Sequence, residues 1–260
     1  MSNKIFVGLV CVILGIGIGV GLFYITDTHK PVVENKKTIE NYLDLELKEN
    51  NTLKIKDIST SPTAVEINSL EAGTVVDENM IDFNNISAYF TVQPFDNQND
   101  IPSDKLDYVR VLHYGIDNNI YTGEIVVNKA ISKDISEIFT ELFNNKYPIG
   151  KMKLADKYEN INSAVADNNT FGFYYDVAKS VNHSIGMAVD INPMYNPLVA
   201  DKQGIELVYP AEGREYADRN KDFPCKINKN DLCFKLFINH GFVWGGDNND
   251  KDYKHFEKEG

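Results

Sequence analysis

Four residues constrain this chain more than any other feature. His183 and Asp190 sit on one segment, Asn182-His-Ser-Ile-Gly-Met-Ala-Val-Asp190, and Asp252 and His255 on another, Asp252-Tyr-Lys-His255. Two imidazoles and one carboxylate can hold a zinc ion and leave a fourth position open for water. That is the arrangement of catalytic rather than structural zinc, whose sites are usually closed by four protein ligands. Any fold this chain adopts must therefore bring two distant segments to one point. His183, Asp190 and His255 are the expected ligands. Asp252 is the spare carboxylate, placed to act as the base that such a water needs.

The rest of the chain narrows the setting. With 260 residues there is room for one well-buried domain and an appendage. The formal charge is -12, and setting aside Lys4, ahead of the apolar segment, leaves -13. This argues against nucleic acid as a partner and against an electrostatic grip on anionic surfaces. Only Arg110, Arg214 and Arg219 are arginine, so guanidinium chemistry has few candidates.

Ile5 to Ile25 is 21 residues without a charge. A helix of that length spans about 31 Å, close to the hydrocarbon core of a bilayer. A cleavable signal peptide would have a shorter apolar region ending in small residues. Here the run exits through Phe23-Tyr-Ile-Thr-Asp-Thr28, and Cys11 lacks the small residues that precede a lipoprotein cleavage site. An uncleaved single-pass anchor is expected, with Lys4 on the cytoplasmic side. Gly15/Gly19 and Gly17/Gly21 offer faces on which two such helices could dimerise, although glycine is common in membrane spans without any pairing. Everything beyond residue 26 is then expected outside the cell, where disulfides form. Cys225 and Cys233 are the two cysteines there, and their spacing suits either a bridge or two reduced thiols. It does not suit a Cys-x-x-Cys metal site.

From Thr26 to about Asp100 the sequence is polar, with short apolar runs and only weak helical periodicity over Asn35 to Asn50. It reads as a stalk, so three regions are expected: an anchor over 1–25, a spacer over 26–104 and a folded domain over 105–260. Beyond Lys105 the pattern sharpens. Tyr108 to Tyr114 and Ile120 to Val127 read as strands joined by Gly115-Ile-Asp-Asn-Asn119. Ile135, Ile138, Phe139, Leu142 and Phe143 recur at helical spacing behind Ser132, an expected N-cap, and that helix must stop before Pro148. Met187 to Ile191 alternates as a short strand. A second helix is expected from about Asp231 to His240, closed by Gly241. Strands mixed with helices in this order predict an α+β domain around a small antiparallel sheet.

The segment holding His183 and Asp190 resembles the Ser-x-His-x-x-Gly-x-Ala-x-Asp signature of the M15 metallopeptidases. That family contains D-alanyl-D-alanine carboxypeptidases and L-alanyl-D-glutamate endopeptidases. Ile191-Asn-Pro-Met-Tyr-Asn-Pro197, Phe242-Val-Trp-Gly-Gly-Asp247 and Asp252-Tyr-Lys-His-Phe-Glu257 resemble the branch of phage endolysins and bacterial cell-wall enzymes. Gly123-Glu-Ile-Val-Val-Asn-Lys129 and Tyr147-Pro-Ile149 also fit, so the resemblance runs from about 105 to 257 in family order. It implies Zn2+ held by His183, Asp190 and His255, with Asp252 as catalytic base. It also implies peptidoglycan peptides as substrate; with the apolar run at the N-terminus the expectation is a membrane-anchored extracellular enzyme of a Gram-positive bacterium.

Two positions depart from the family. Val181 stands where the signature has serine, and Asp176 stands where the family carries an arginine that stabilises the developing oxyanion. Losing such a donor typically costs on the order of 100- to 1000-fold in turnover, and an ammonium at Lys179 is not equivalent to a guanidinium. Asp176 is the one feature favouring a second reading, a catalytically weak zinc-bearing module that binds cell wall or a partner. His113 and His240 are expected in packing and capping roles, and Arg219 in a structural ion pair. Trp244 suits a substrate groove or a turn against the core equally well.

Overall fold

Two nine-residue strands organise the larger folded unit. β7 (Leu106–Tyr114) and β8 (Ile120–Asn128) pair antiparallel in full register, from Leu106 against Asn128 to Tyr114 against Ile120. Almost every residue of β7 is buried, on both faces, as expected of a central strand covered on either side. This computed structural model describes residues 10–13, 18–21, 45–48, 52–55, 63–95, 104–175 and 181–259. It divides into units 1–44 and 45–260.

In the first unit β1 (Val10–Ile13) pairs antiparallel with β2 (Ile18–Gly21). These positions are largely β-branched or glycine, which are weak helix formers in water. The other residues of the expected helix from Ile5 to Ile25 lie outside the described residues. Among the described residues no helix is long and apolar enough to cross a membrane.

In the second unit a six-stranded sheet runs β3-β4-β5-β8-β7-β6. Here β3 is Leu45–Lys48, β4 Thr52–Ile55, β5 Val75–Val76 and β6 Thr91–Pro94. The first helix, α1 (Ala64–Asn68), is closed by a capping box in which Thr63 and Glu66 satisfy each other's backbone amides. Ile67, Val76, Ile81, Tyr89 and Phe90 are all buried in the main core. The stretch expected to be a stalk therefore contributes sheet and core between Ala64 and Pro94, and the folded unit begins well before Lys105. Its buried apolar residues lie on a five-residue helix, a two-residue strand and in or beside 3-10 turns, all too short to produce a visible period.

α2 (Ser132–Asn144) packs Ile135, Ile138, Phe139, Leu142 and Phe143 inward at the spacing expected of an amphipathic helix, and ends before Pro148. Ser132 does not cap it. Ile131 occupies that position, and the Ser132 hydroxyl instead donates to Asp107 at 2.7 Å. α3 (Ile161–Ala166) and α4 (Val181–Ser184) are short. α5 (Leu232–Asn239) is capped by Asp231, which accepts from the Cys233 and Phe234 amides, and Gly241 follows with φ +82°.

Two three-stranded sheets complete the fold, and together they carry the site. One runs β12 (Val243–Trp244), β14 (His255–Glu257), β9 (Ala188–Asp190). The other runs β11 (Ile205–Tyr209), β10 (Leu198–Lys202), β13 (Lys251–Asp252). Helices with sheets that are antiparallel except at the β4–β5 pair give the α+β class. Cys225 and Cys233 are buried free thiols, and burial pushes Cys225 up to about 12.

Candidate metal centre

The register of one strand pair brings the two distant segments together. β14 lies antiparallel to β9 with His255 opposite Asp190, Phe256 opposite Val189 and Glu257 opposite Ala188. Alternation sends Phe256 and Val189 into the core, where Phe256 stacks on Phe237 at 4.3 Å. The opposite face presents His255, Asp190 and Glu257, and the small Ala188 side chain leaves Glu257 room across the pair.

His183 enters from α4 through a tight turn at Gly186, whose φ is +73°. The turn is fastened to the end of β8. Asn128 N donates to the Gly186 carbonyl at 2.8 Å, and Asn128 Nδ2 to the Ile185 carbonyl at 2.9 Å. The His183 ring is buried between Phe171 and Tyr174, with centroids at 5.3 and 5.1 Å. Its Nδ1 donates to the Gly172 carbonyl at 2.6 Å, which turns the lone pair of Nε2 toward Asp190 Oδ1 at 3.3 Å. His255 Nδ1 lies 2.9 Å from the same oxygen, and its Nε2 lies 3.0 Å from Glu257 Oε2. Ligand atoms of His183, Asp190 and His255 all fall within 4.8 Å of one another.

The donor set fits a divalent cation. Each histidine offers one nitrogen inward while the other is held by an oxygen, Gly172 O for His183 and Glu257 for His255. This is the outer support that fixes ring orientation in metal sites. The electrostatics agree. Burial alone would lower the His255 pKa, yet the hydrogen bonds its ring donates to Asp190 and Glu257 raise it to about 10. Glu257 is held down at about 2, chiefly by His255. Burial would raise Asp190, but the nearby Lys254 ammonium and the two imidazoles hold it well below the usual carboxylate range. Without an ion the cluster thus retains a proton on His255, the signature of a site short of positive charge.

Asp252 belongs to the other small sheet, paired with Leu198 on β10. The chain changes sheets across Tyr253 and Lys254, and this is what the Asp-x-x-His spacing accomplishes. Gly245 packs beside the step, where an added Cβ would stand 3.0 Å from Asp252 Cβ and 3.1 Å from His255 Cβ. Asp252 Oδ1 accepts from Lys254 Nζ at 2.5 Å. The same ammonium stands 3.6 Å from Asp190 Oδ2, so the candidate base and a candidate ligand share one cation.

Two members of this site escape a reading of the four-residue pattern, Glu257 and Lys254. Glu257 had a usable signal, since residues two apart on a strand share a face. Lys254 had none, because only the turn geometry points its side chain inward. Asp176 and Lys179 lie outside the described residues, as does the side chain of Val181.

The remaining polar residues of the motifs are structural. Asn192 accepts from Gly150 N at 2.8 Å and donates to Pro148 O at 2.9 Å. Asn196 accepts from Ile227 N at 2.9 Å and donates to Cys225 O at 3.0 Å. Among the described residues Arg219 forms no ion pair. It donates to the Tyr195 and Ile227 carbonyls and lies over the Tyr253 ring at 4.3 Å. Trp244 is buried against Phe234 and donates to Tyr253 O at 2.9 Å. A second group, Asp134, Glu137 and His240, could also gather around a cation. There Lys258 already places its ammonium 2.8 Å from Asp134. A cavity of about 650 Å³ lined by Tyr108, Arg110, Glu124 and Lys153 contains none of the four site residues.

Residues 177–258 match the profile of a peptidase family described as D-alanyl-D-alanine carboxypeptidase. The match contains His183, Asp190, Asp252 and His255 together with Glu257 and Lys254. No curated protein and no solved structure matches the chain.

Proposed function

We propose, for a chain whose residues 177–258 match the profile of an M15 peptidase family, that it is a zinc-dependent hydrolase of peptidoglycan stem peptides. The observation that carries this reading is the convergence of His183, Asp190 and His255, one ligand atom of each lying within 4.8 Å of the others, with a second carboxylate, Asp252, held by the ammonium that also faces Asp190. His183, Asp190 and His255 would hold the zinc, which when bound would supply Lewis-acid polarisation of the scissile carbonyl and lower the pKa of water. Asp252 accepts the proton of the attacking water and returns it to the departing amine. Glu257 and the Gly172 carbonyl keep the two imidazoles in the tautomers that leave their inward nitrogens unprotonated. No side chain need form a covalent intermediate.

The description of the matched family favours loss of terminal D-alanine. The Asn192 to Pro197 motif, by its resemblance to cell-wall endopeptidases, favours cleavage between L-alanine and D-glutamate. The uncharged run from Ile5 to Ile25 supports attachment to a cell membrane, with the peptidase unit on the outer side.

The test is digestion of Gram-positive peptidoglycan by the zinc-loaded full-length protein and its Asp252→Asn variant, with products read by mass spectrometry. Free D-alanine identifies a carboxypeptidase; new L-alanyl or D-glutamyl ends identify an endopeptidase. The variant should retain zinc and lose about 100- to 10,000-fold in rate. If both proteins hold zinc and neither alters the substrate, hydrolysis is refuted and a wall-binding module replaces it.

A further inference from the structure

We propose that Lys254 is a positioning residue of this metal centre, dividing the two oxygens of Asp190 between metal and ammonium and holding Asp252 beside it. The inference rests on the reading of His183, Asp190 and His255 as metal ligands. Lys254 sits in the turn between β13 and β14 and is 5% exposed, so its ammonium is withdrawn from water. A buried ammonium is costly unless it is paired. Its partners are Asp252 Oδ1 at 2.5 Å and Asp190 Oδ2 at 3.6 Å. The backbone is locked as well, because Ile191 N donates to the Lys254 carbonyl at 3.0 Å.

The consequence lies in which oxygen each partner uses. Asp190 Oδ1 faces both imidazoles, at 2.9 and 3.3 Å, whereas Oδ2 faces Lys254. With Oδ2 engaged, Asp190 is a one-oxygen ligand, and a position stays open as hydrolysis requires. The ammonium also lies between Asp190 and Asp252, which would otherwise repel each other. Formal charges close the account. Asp190, Asp252, Glu257 and Lys254 with two neutral imidazoles sum to -2, the charge that one divalent cation neutralises.

The experiment loads full-length protein with Co2+ and records its visible spectrum and its affinity by chelator competition, for wild type, Lys254→Met and Lys254→Arg. In Lys254→Met the released Oδ2 should join the metal, so the intense bands of four-coordinate cobalt weaken toward those of a five-coordinate ion. Affinity should fall about 10- to 100-fold. Lys254→Arg should restore the wild-type spectrum and most of the affinity. An unchanged spectrum and affinity in Lys254→Met overturns the proposal, and so does tighter binding, which would make the lysine only a charge balance. Lys254→Gln carries the same expectation if the methionine variant does not fold. A wild-type protein that takes up no Co2+ refutes the metal centre itself, a result distinct from either.

Discussion

Replacing Gly186 by alanine should damage fold and metal centre together, and the size of the effect can be worked out against a matched control. Gly186 has φ +73° and Gly204 has φ +81°, so alanine at either position meets left-handed strain of about 1–2 kcal/mol. The surroundings differ. Nothing lies within 4 Å of a Cβ built on Gly204, whereas one on Gly186 would stand 2.6 Å from Asn128 N and 3.0 Å from Val127 C. Both atoms are backbone of β8, held in full register by β7, so they cannot give way. Forced overpacking of this kind costs about 1–3 kcal/mol more. Gly204→Ala should therefore lower stability by about 1–2 kcal/mol and Gly186→Ala by about 2–5 kcal/mol. At about 2–4 °C per kcal/mol for a domain of this size, the second variant should melt on the order of 10 °C below wild type. Relief would come by lifting the 183–186 turn off β8 and carrying His183 with it. Chelator competition should then show weaker zinc binding in Gly186→Ala and wild-type binding in Gly204→Ala. Equal melting shifts in the two variants, or full zinc affinity in Gly186→Ala, would refute the close approach to β8 as the anchor of the first ligand.

Zinc uptake should release about one proton, because His255, raised to about 10, is an imidazolium at neutral pH until the ion displaces its proton. Apparent affinity should rise up to about tenfold per pH unit between pH 7 and 9, and calorimetry in buffers of different ionisation enthalpy counts the proton. Glu257→Gln removes the carboxylate holding His255 Nε2 at 3.0 Å, so affinity should fall about 10- to 100-fold and its pH dependence should flatten. His113 tests the core independently of the site. It is buried with Nε2 unpartnered, and burial lowers its pKa to about 4. A histidine lowered in the fold favours the neutral form. Its contribution is therefore present above the unfolded value near 6.5 and is lost as pH falls toward 4, about 3 kcal/mol in full. Urea unfolding of His113→Phe should lose less stability than wild type between pH 7 and 4.5; parallel losses would contradict this assignment.

Local chemistry made much of this molecule legible in its sequence. Ile135, Ile138, Phe139, Leu142 and Phe143 declare a helix because their spacing depends only on the helical period. The β7–β8 hairpin, the helix beginning near Asp231 and the glycine after α5 are equally local. The residue types of His183 to Asp190 and Asp252 to His255 are local as well, and the fold brings His183, Asp190 and His255 to one point. Other features were decided only by contacts between distant segments. Ser132 looked like a cap, but the nearer demand came from Asp107, 25 positions away in sequence. The stretch from Ala64 to Pro94 looked like a tether because its apolar residues follow no period. Ile67, Val76, Ile81, Tyr89 and Phe90 are nevertheless buried in the main core. Glu257 and Lys254 look like ordinary surface charges in an acidic tail. The antiparallel register of β14 on β9 and the turn between β13 and β14 carry them inward, to His255, Asp190 and Asp252. Periodicity and residue chemistry are written along the chain, whereas burial of a charge depends on what folds over it.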